Sequence, residues 1–295
     1  MYMVAFLHTR HRVTFRAAGL ILLCLWFIFS SLVGNFAAAV EMPRTLKTIF
    51  SKFDINDHFA VHPICFHCHH VFEPDIEVDT FCPDCQEEVF GGTKRHNYDA
   101  WEDADADPED SDDPPGSGKR KPDMVSPIQL LSTGLQDFFK RPGMVSAVNS
   151  WRTRTEVDGE LRCMQDARVW KELKDGDGDS FFFSPKAEEE EIRLGVSFSL
   201  DWFKRSKSSF APSQSSGVMS FCVQNLTNSL RYRSENLIFS GGTGQKEPTA
   251  AHLQHYLKIV VDDLIMLYDD GIMIKTPEYP NGMVIHMENI GGADL

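Results

Sequence analysis

The sequence predicts an α/β (α+β) fold, a small four-cysteine zinc module joined to a mixed sheet with helices. Three observations carry that expectation. Two Cys-x-x-Cys pairs, Cys65/Cys68 and Cys82/Cys85, lie close together. Three strand-like apolar runs follow one another between Ile192 and Ser240. After Thr249 the apolar residues recur at helical spacing as far as Tyr268. A chain of 295 residues that is 42% hydrophobic and 11% aromatic has the length for about two domains and the composition for a real core. A net charge of −14 argues against a chain that coats nucleic acid over its whole surface, and leaves room for a local basic site.

The cysteine pairs point to a tetrahedral zinc site. Two residues between cysteines let one tight turn aim both sulfurs at one ion, and four thiolates saturate a structural Zn²⁺. Pro83 and Asp84 suit such a turn. Two disulfides or four unrelated thiols are the alternative. His62, His67, His69 and His70 crowd the same loop, but four cysteines already suffice, so most of these histidines are expected to be bystanders. The remaining cysteines, Cys24, Cys163 and Cys222, are scattered, which suits a reducing compartment better than a disulfide framework.

Residues 1–57 form an N-terminal region with a hydrophobic helix. Arg10, Arg12 and Arg16 precede a charge-free run from Ala17 to Val40 whose centre is apolar on all sides. Composition favours a membrane segment, a transmembrane helix or signal anchor, with a cleaved signal peptide or a fully buried core helix as the alternatives. Arg44, Lys47 and Lys52 nearly balance the flanking charge, so orientation is poorly specified. Residues 58–97 are the zinc-binding module. Residues 98–126 are an acidic disordered linker, because eight carboxylates between Glu102 and Asp113 alternate with Ala, Ser and Pro and leave little to bury. Lys119-Arg120-Lys121 within it is a minimal nuclear-import patch or a chance tribasic cluster.

Residues 127–190 read as a helical region. Ile128, Leu131, Leu135 and Phe138 have helical spacing, Pro142-Gly143 breaks it, and Met144, Val148 and Trp151 continue a second helix. Asp175-Gly-Asp177-Gly-Asp179 starts like a calcium loop. Lys186 stands where the twelfth-position Glu belongs and Ser180 where the Gly belongs, so an acidic turn is expected. Phe181-Phe182-Phe183 reads as a short buried strand. In residues 191–295, Leu194–Leu200, Gly217–Val223 and Asn236–Ser240 read as an antiparallel meander, with Asp201 at the end of the first strand and a turn at Gly241-Gly242. Thr249 reads as the N-cap of the long helix, and Ile272–Ile274 and Met283–Ile285 as further strands.

Several of these stretches together resemble the fungal CACTA-type (En/Spm-like) transposases. They are Ile192–Phe203 with its Asp201-Trp202-Phe203, Gly217–Ser220, Leu230–Leu237, Lys246-Glu247-Pro248 and Pro280-Asn281-Gly282. Upstream, Arg141-Pro142-Gly143 with Trp151, Asp166–Lys171, and the four-cysteine segment behind a hydrophobic helix match as well. The resemblance spans about Arg12 to Met287. It implies a partial RNase H-like DDE domain over 191–295, Asp201 as first catalytic carboxylate, DNA (the transposon ends) as partner, and an oligomer of like subunits. Mg²⁺ or Mn²⁺ is implied only where the carboxylate set is complete. The family continues with an apolar strand carrying a second Asp and a later Glu. Here Asp294 falls near the second Asp behind Gly291-Gly292, and the later Glu is absent, so a transposase-like chain without activity is expected. The resemblance also implies that Leu20–Leu32 packs into the protein's own fold and that the location is nuclear or cytosolic. The alternatives are a single-pass membrane-anchored zinc adaptor held through residues 17–40, and a stand-alone module that contacts DNA or protein through its zinc.

Overall fold

The structure, a computed structural model, describes residues 2–11, 13–32, 45–53, 58–90, 122–155, 157, 159–184, 191–204, 215–244 and 247–291. Most of the acidic linker, the Lys119-Arg120-Lys121 patch and Asp294 lie outside the described residues. The chain divides into two compact units, Met1–Asp57 with Gly92–Arg120, and His58–Gly91 with Lys121–Leu295.

Among the described residues of the first unit three helices share a small core. They are α1 (Tyr2–His11), α2 (Phe15–Leu32) and α3 (Leu46–Lys52). Thr45 caps α3, its hydroxyl accepting from the Thr48 amide at 3.2 Å. Val4, Ala5, Ala18, Leu22, Leu46 and Ile49 are buried against one another. Of the Leu20–Leu32 stretch expected to pack inward, Leu22 is buried here and Ile21 and Leu25 are half-buried, whereas Leu20, Leu23, Phe27 and Ile28 are exposed, so that expectation is corrected to one face of α2. Among the described residues, no helix is long and apolar enough to cross a membrane.

The second unit is built on a seven-stranded mixed sheet. Its strands are β1 (Ala60–Ile64), β2 (Met124–Ile128), β3 (Glu191–Lys204), β4 (Ser215–Val223), β5 (Leu237–Gly242), β6 (Ile272–Ile274) and β7 (Met283–Gly291). Their order is β1-β2-β5-β4-β3-β7-β6. The expected meander is present, because β3-β4 and β4-β5 are antiparallel. β7 lies parallel to β3 on its other side, so the chain must cross over, and the helix between β5 and β7 makes that crossing. Among its described residues five α-helices complete the unit: α4 (Leu131–Lys140), α5 (Met144–Asn149), α6 (Arg168–Glu172), α7 (Asn228–Arg231) and α8 (Ala250–Asp269). Thr249 caps α8 as its sequence predicts, accepting from the His252 amide at 3.3 Å. Gly271 at φ 68° ends it.

Alternation along β3 sorts the two faces. Ile192, Leu194 and Val196 join Met219, Phe221, Ile285 and Met287 in the main core with α4 and α8. Asp263 of α8 is buried there and accepts from the Ser132 amide at 3.0 Å, completing the first turn of α4, whose N-cap Leu130 has no side-chain acceptor. On the opposite face, a layer of Trp151, Trp170, Phe181 and Phe182 covers Gly195. Trp170 stacks on Phe182 at 3.8 Å and meets Trp151 edge-on at 5.2 Å.

Three local expectations are corrected. Phe181–Phe183 is a turn, folded back by the Lys174–Ser180 bridge, with Phe181 and Phe182 buried and Phe183 exposed. Gly241-Gly242 belongs to β5 rather than to a turn. Gly241 has φ 143°, and a Cβ there would meet the Pro127 carbonyl oxygen at 2.4 Å, so glycine lets β2 approach. Asp201 lies inside β3, opposite Val218, because pairing with β4 continues to Lys204. The acidic turn at Asp175 is as expected. Its carboxylate accepts from the Asp177 and Asp179 amides and pairs with buried Arg193 at 3.0 Å.

A Cβ on Gly195 would lie 2.5 Å from Ile290 and 2.8 Å from Trp170. Gly195→Ala is expected to destabilise the second unit by about 1–3 kcal/mol, the cost of overpacking, read as a lower midpoint in urea unfolding.

Candidate metal centre

The centre is made of two knuckles with one backbone plan, seventeen residues apart. In the first, the Cys65 amide donates to the His70 carbonyl and the Cys65 carbonyl accepts from His69. In the second, the Cys82 amide donates to Glu87 and its carbonyl accepts from Gln86. The match continues outward, where Phe72 donates to Pro63 and Val89 to Thr80, each at 2.9–3.1 Å. The fifth residue of each knuckle is left-handed, His69 at φ 61° and Gln86 at φ 62°. These are the only non-glycine residues with positive φ among those described, so both turns accept the same backbone cost to aim their sulfurs inward.

The four cysteines converge as their spacing predicts. Cys65 and Cys85 sulfurs are 3.4 Å apart, Cys68 and Cys82 sulfurs 3.3 Å, and all four lie within 4.8 Å of one another. A tetrahedron of sulfurs at about 2.3 Å from a metal has edges near 3.8 Å, so the set fits a single ion. All seven cysteines are free of disulfides. Burial pushes the Cys65 and Cys68 thiols up. Burial also opposes ionisation of Cys85, but the Glu87 amide and the neighbouring sulfurs outweigh it and lower that thiol. A cation among them reverses the burial effect and releases protons as it binds.

The histidines are not ligands to this set, yet three of them are not idle. His69 is fully buried, shares a 3.0 Å hydrogen bond with the Tyr256 hydroxyl and stacks on His252 with ring centres 5.3 Å apart. The left-handed residue of the first knuckle is therefore seated on α8. His70 bonds Asp84 at 2.7 Å, tying the first knuckle to the second, and His255 of α8 lies 3.8 Å from the same carboxylate. His62 bonds the Phe72 carbonyl at 2.8 Å. Nothing in the local spacing announces the His69–Tyr256 contact, which joins residues 187 apart in sequence. His70, Cys82 and Asp84 form a second possible ligand group that shares Cys82 with the first.

The module's charge limits what it touches. Residues 58–90 carry seven Asp and Glu, all exposed, and no Lys or Arg. This acidic surface lacks the Lys and Arg charge that supplies most of the affinity for a phosphate backbone. Asp201 is exposed on β3 and belongs to neither group of possible metal ligands among the described residues. The basic stretch lies beside it in sequence. Residues 202–234 hold Lys204, Arg205, Lys207, Arg231 and Arg233 without a single Asp or Glu. No family model and no curated protein matches this chain.

Purified full-length protein is expected to hold one metal ion per chain by elemental analysis. Cys68→Ser together with Cys82→Ser removes it. Tyr256→Phe keeps the metal and lowers stability by about 1 kcal/mol, the net contribution of one buried hydrogen bond.

Proposed function

We propose that the second unit is an RNase H-like, transposase-type domain that engages DNA and is braced by a structural zinc. The observation that carries this reading is the sheet. Three antiparallel strands, β3, β4 and β5, are followed by a crossover helix and by β7 returning parallel beside β3. Asp201 stands on that central first strand, next to Trp202-Phe203, as the first carboxylate does in the transposases the sequence resembles. In sequence Asp201 is followed by Lys204, Arg205 and Lys207 with no Asp or Glu before Glu235, which is counter-charge suited to phosphates.

Zinc is favoured for the cysteine set because four thiolates suit zinc or iron–sulfur chemistry and fill every tetrahedral position. With no open position the ion braces and does not react. Free thiols fit a nuclear or cytosolic location. Cleavage through two divalent ions requires several carboxylates around one phosphate. Among the described residues no carboxylate forms a ligand group with Asp201, and the proposal is one of DNA engagement.

Binding of terminal-repeat DNA by gel shift tests the reading. Binding that weakens with salt, with a shallower salt slope after Lys204, Arg205 and Lys207 are changed to Ala, is expected. Absence of binding at low salt would remove the proposal. In the same samples neither Mg²⁺ nor Mn²⁺ is expected to support cleavage. Cleavage abolished by Asp201→Ala would show a complete catalytic set.

A further inference from the structure

The helix α2 is apolar on two faces, and the described residues of the first unit bury one of them. Ala18, Leu22 and Leu25 turn inward against α1 and α3. Leu20 is 62% exposed, Leu23 55%, Phe27 67% and Ile28 48%. Spacings of three, four and seven residues place Leu20, Leu23 and Phe27 on one stripe, and Ile28, eight residues after Leu20, widens it. Cys24 is exposed between them. Met3 and Phe6 of α1 are more than half exposed as well.

We infer that this stripe docks on an anionic lipid surface, with α2 lying in the plane of the interface. Charge selects the occupant. The first 40 residues contain Arg10, Arg12 and Arg16 and no Asp or Glu, in a chain whose net charge is −14. An apolar stripe beside a basic, acid-free segment matches acidic headgroups over an acyl boundary. A symmetric second copy would set the same basic segment against itself, which costs repulsion. One face of α2 is already held against α1 and α3, which leaves the opposite stripe to meet the interface side-on. The inference does not depend on the DNA-binding reading of the second unit.

The test is co-sedimentation of the full-length, metal-loaded chain with phosphatidylcholine vesicles, with and without phosphatidylserine. Binding to the phosphatidylserine vesicles, weakened by salt and released by alkaline carbonate, is expected. Leu23→Ser with Phe27→Ser should lower the partition coefficient by about tenfold or more, since two large side chains no longer leave water. Both positions face outward, and unchanged helix content and metal content would show that the variant folds. Arg10→Glu should weaken binding to phosphatidylserine vesicles while leaving the stripe intact. Four results would overturn the inference. They are equal binding by the Leu23/Phe27 variant, equal binding to neutral vesicles, retention after carbonate, and a lipid-free dimer that the variant abolishes with no vesicle binding.

Discussion

Four sulfurs within 4.8 Å of one another form a set that could hold one metal ion and so cross-link two loops of the second unit. The segment that carries them has little else to hold it. Its apolar core is Phe72, Val89 and Phe90 packed against the cysteines, too few residues to order two left-handed turns and their loops. A cation changes that balance, because it favours the thiolates that burial opposes and cross-links two loops at once. Structural zinc contributes roughly 10–16 kcal/mol in small domains, more than the net stability of most proteins. Cys65 directly follows β1, so the cross-link fixes the end of that strand. β1 pairs along its whole length with β2, and β2 reaches the rest of the sheet at Ile128–Gly241.

The second route from the metal into the fold is α8. Its first turns receive the knuckle through His252 and Tyr256. Its middle buries Val260 in the main core and supplies Asp263 to the start of α4. Its C-terminal end stacks Tyr268 on Phe181, with ring centres 6.0 Å apart, in the aromatic layer of the other face. One helix thus joins the metal module, the core and the layer over Gly195. The carboxylate of Asp201 rides on β3, the strand held between the core and that layer.

The parts legible in the sequence were those set by local chemistry. Cysteine spacing located the centre, Thr249 and Gly271 bounded α8, and alternation located β3, β4 and β5. The two strands missed, β1 and β2, are five residues each and carry Pro63 and Pro127. Proline argues against a paired strand because it has no N–H to donate. Here Pro63 lies opposite Val125 and Pro127 opposite Val61, on an edge pair whose other side is nearly unpaired, so the missing donors cost little. The aromatic triplet at 181–183 has strand composition but is turned by contacts to Leu173 and Arg193, which no local pattern encodes. His69 was misjudged for the same reason. Its partner Tyr256 is supplied by the fold.

A metal held by these four sulfurs would brace the whole second unit and not its own loop alone. Amide hydrogen exchange of the full chain, followed by residue before and after removal of the metal with a chelator, tests it most directly. The account predicts that protection falls together over the knuckles, β1, β2 and the His252–Tyr256 turns of α8. Loss confined to residues 65–90, with β1, β2 and α8 still protected, would contradict it.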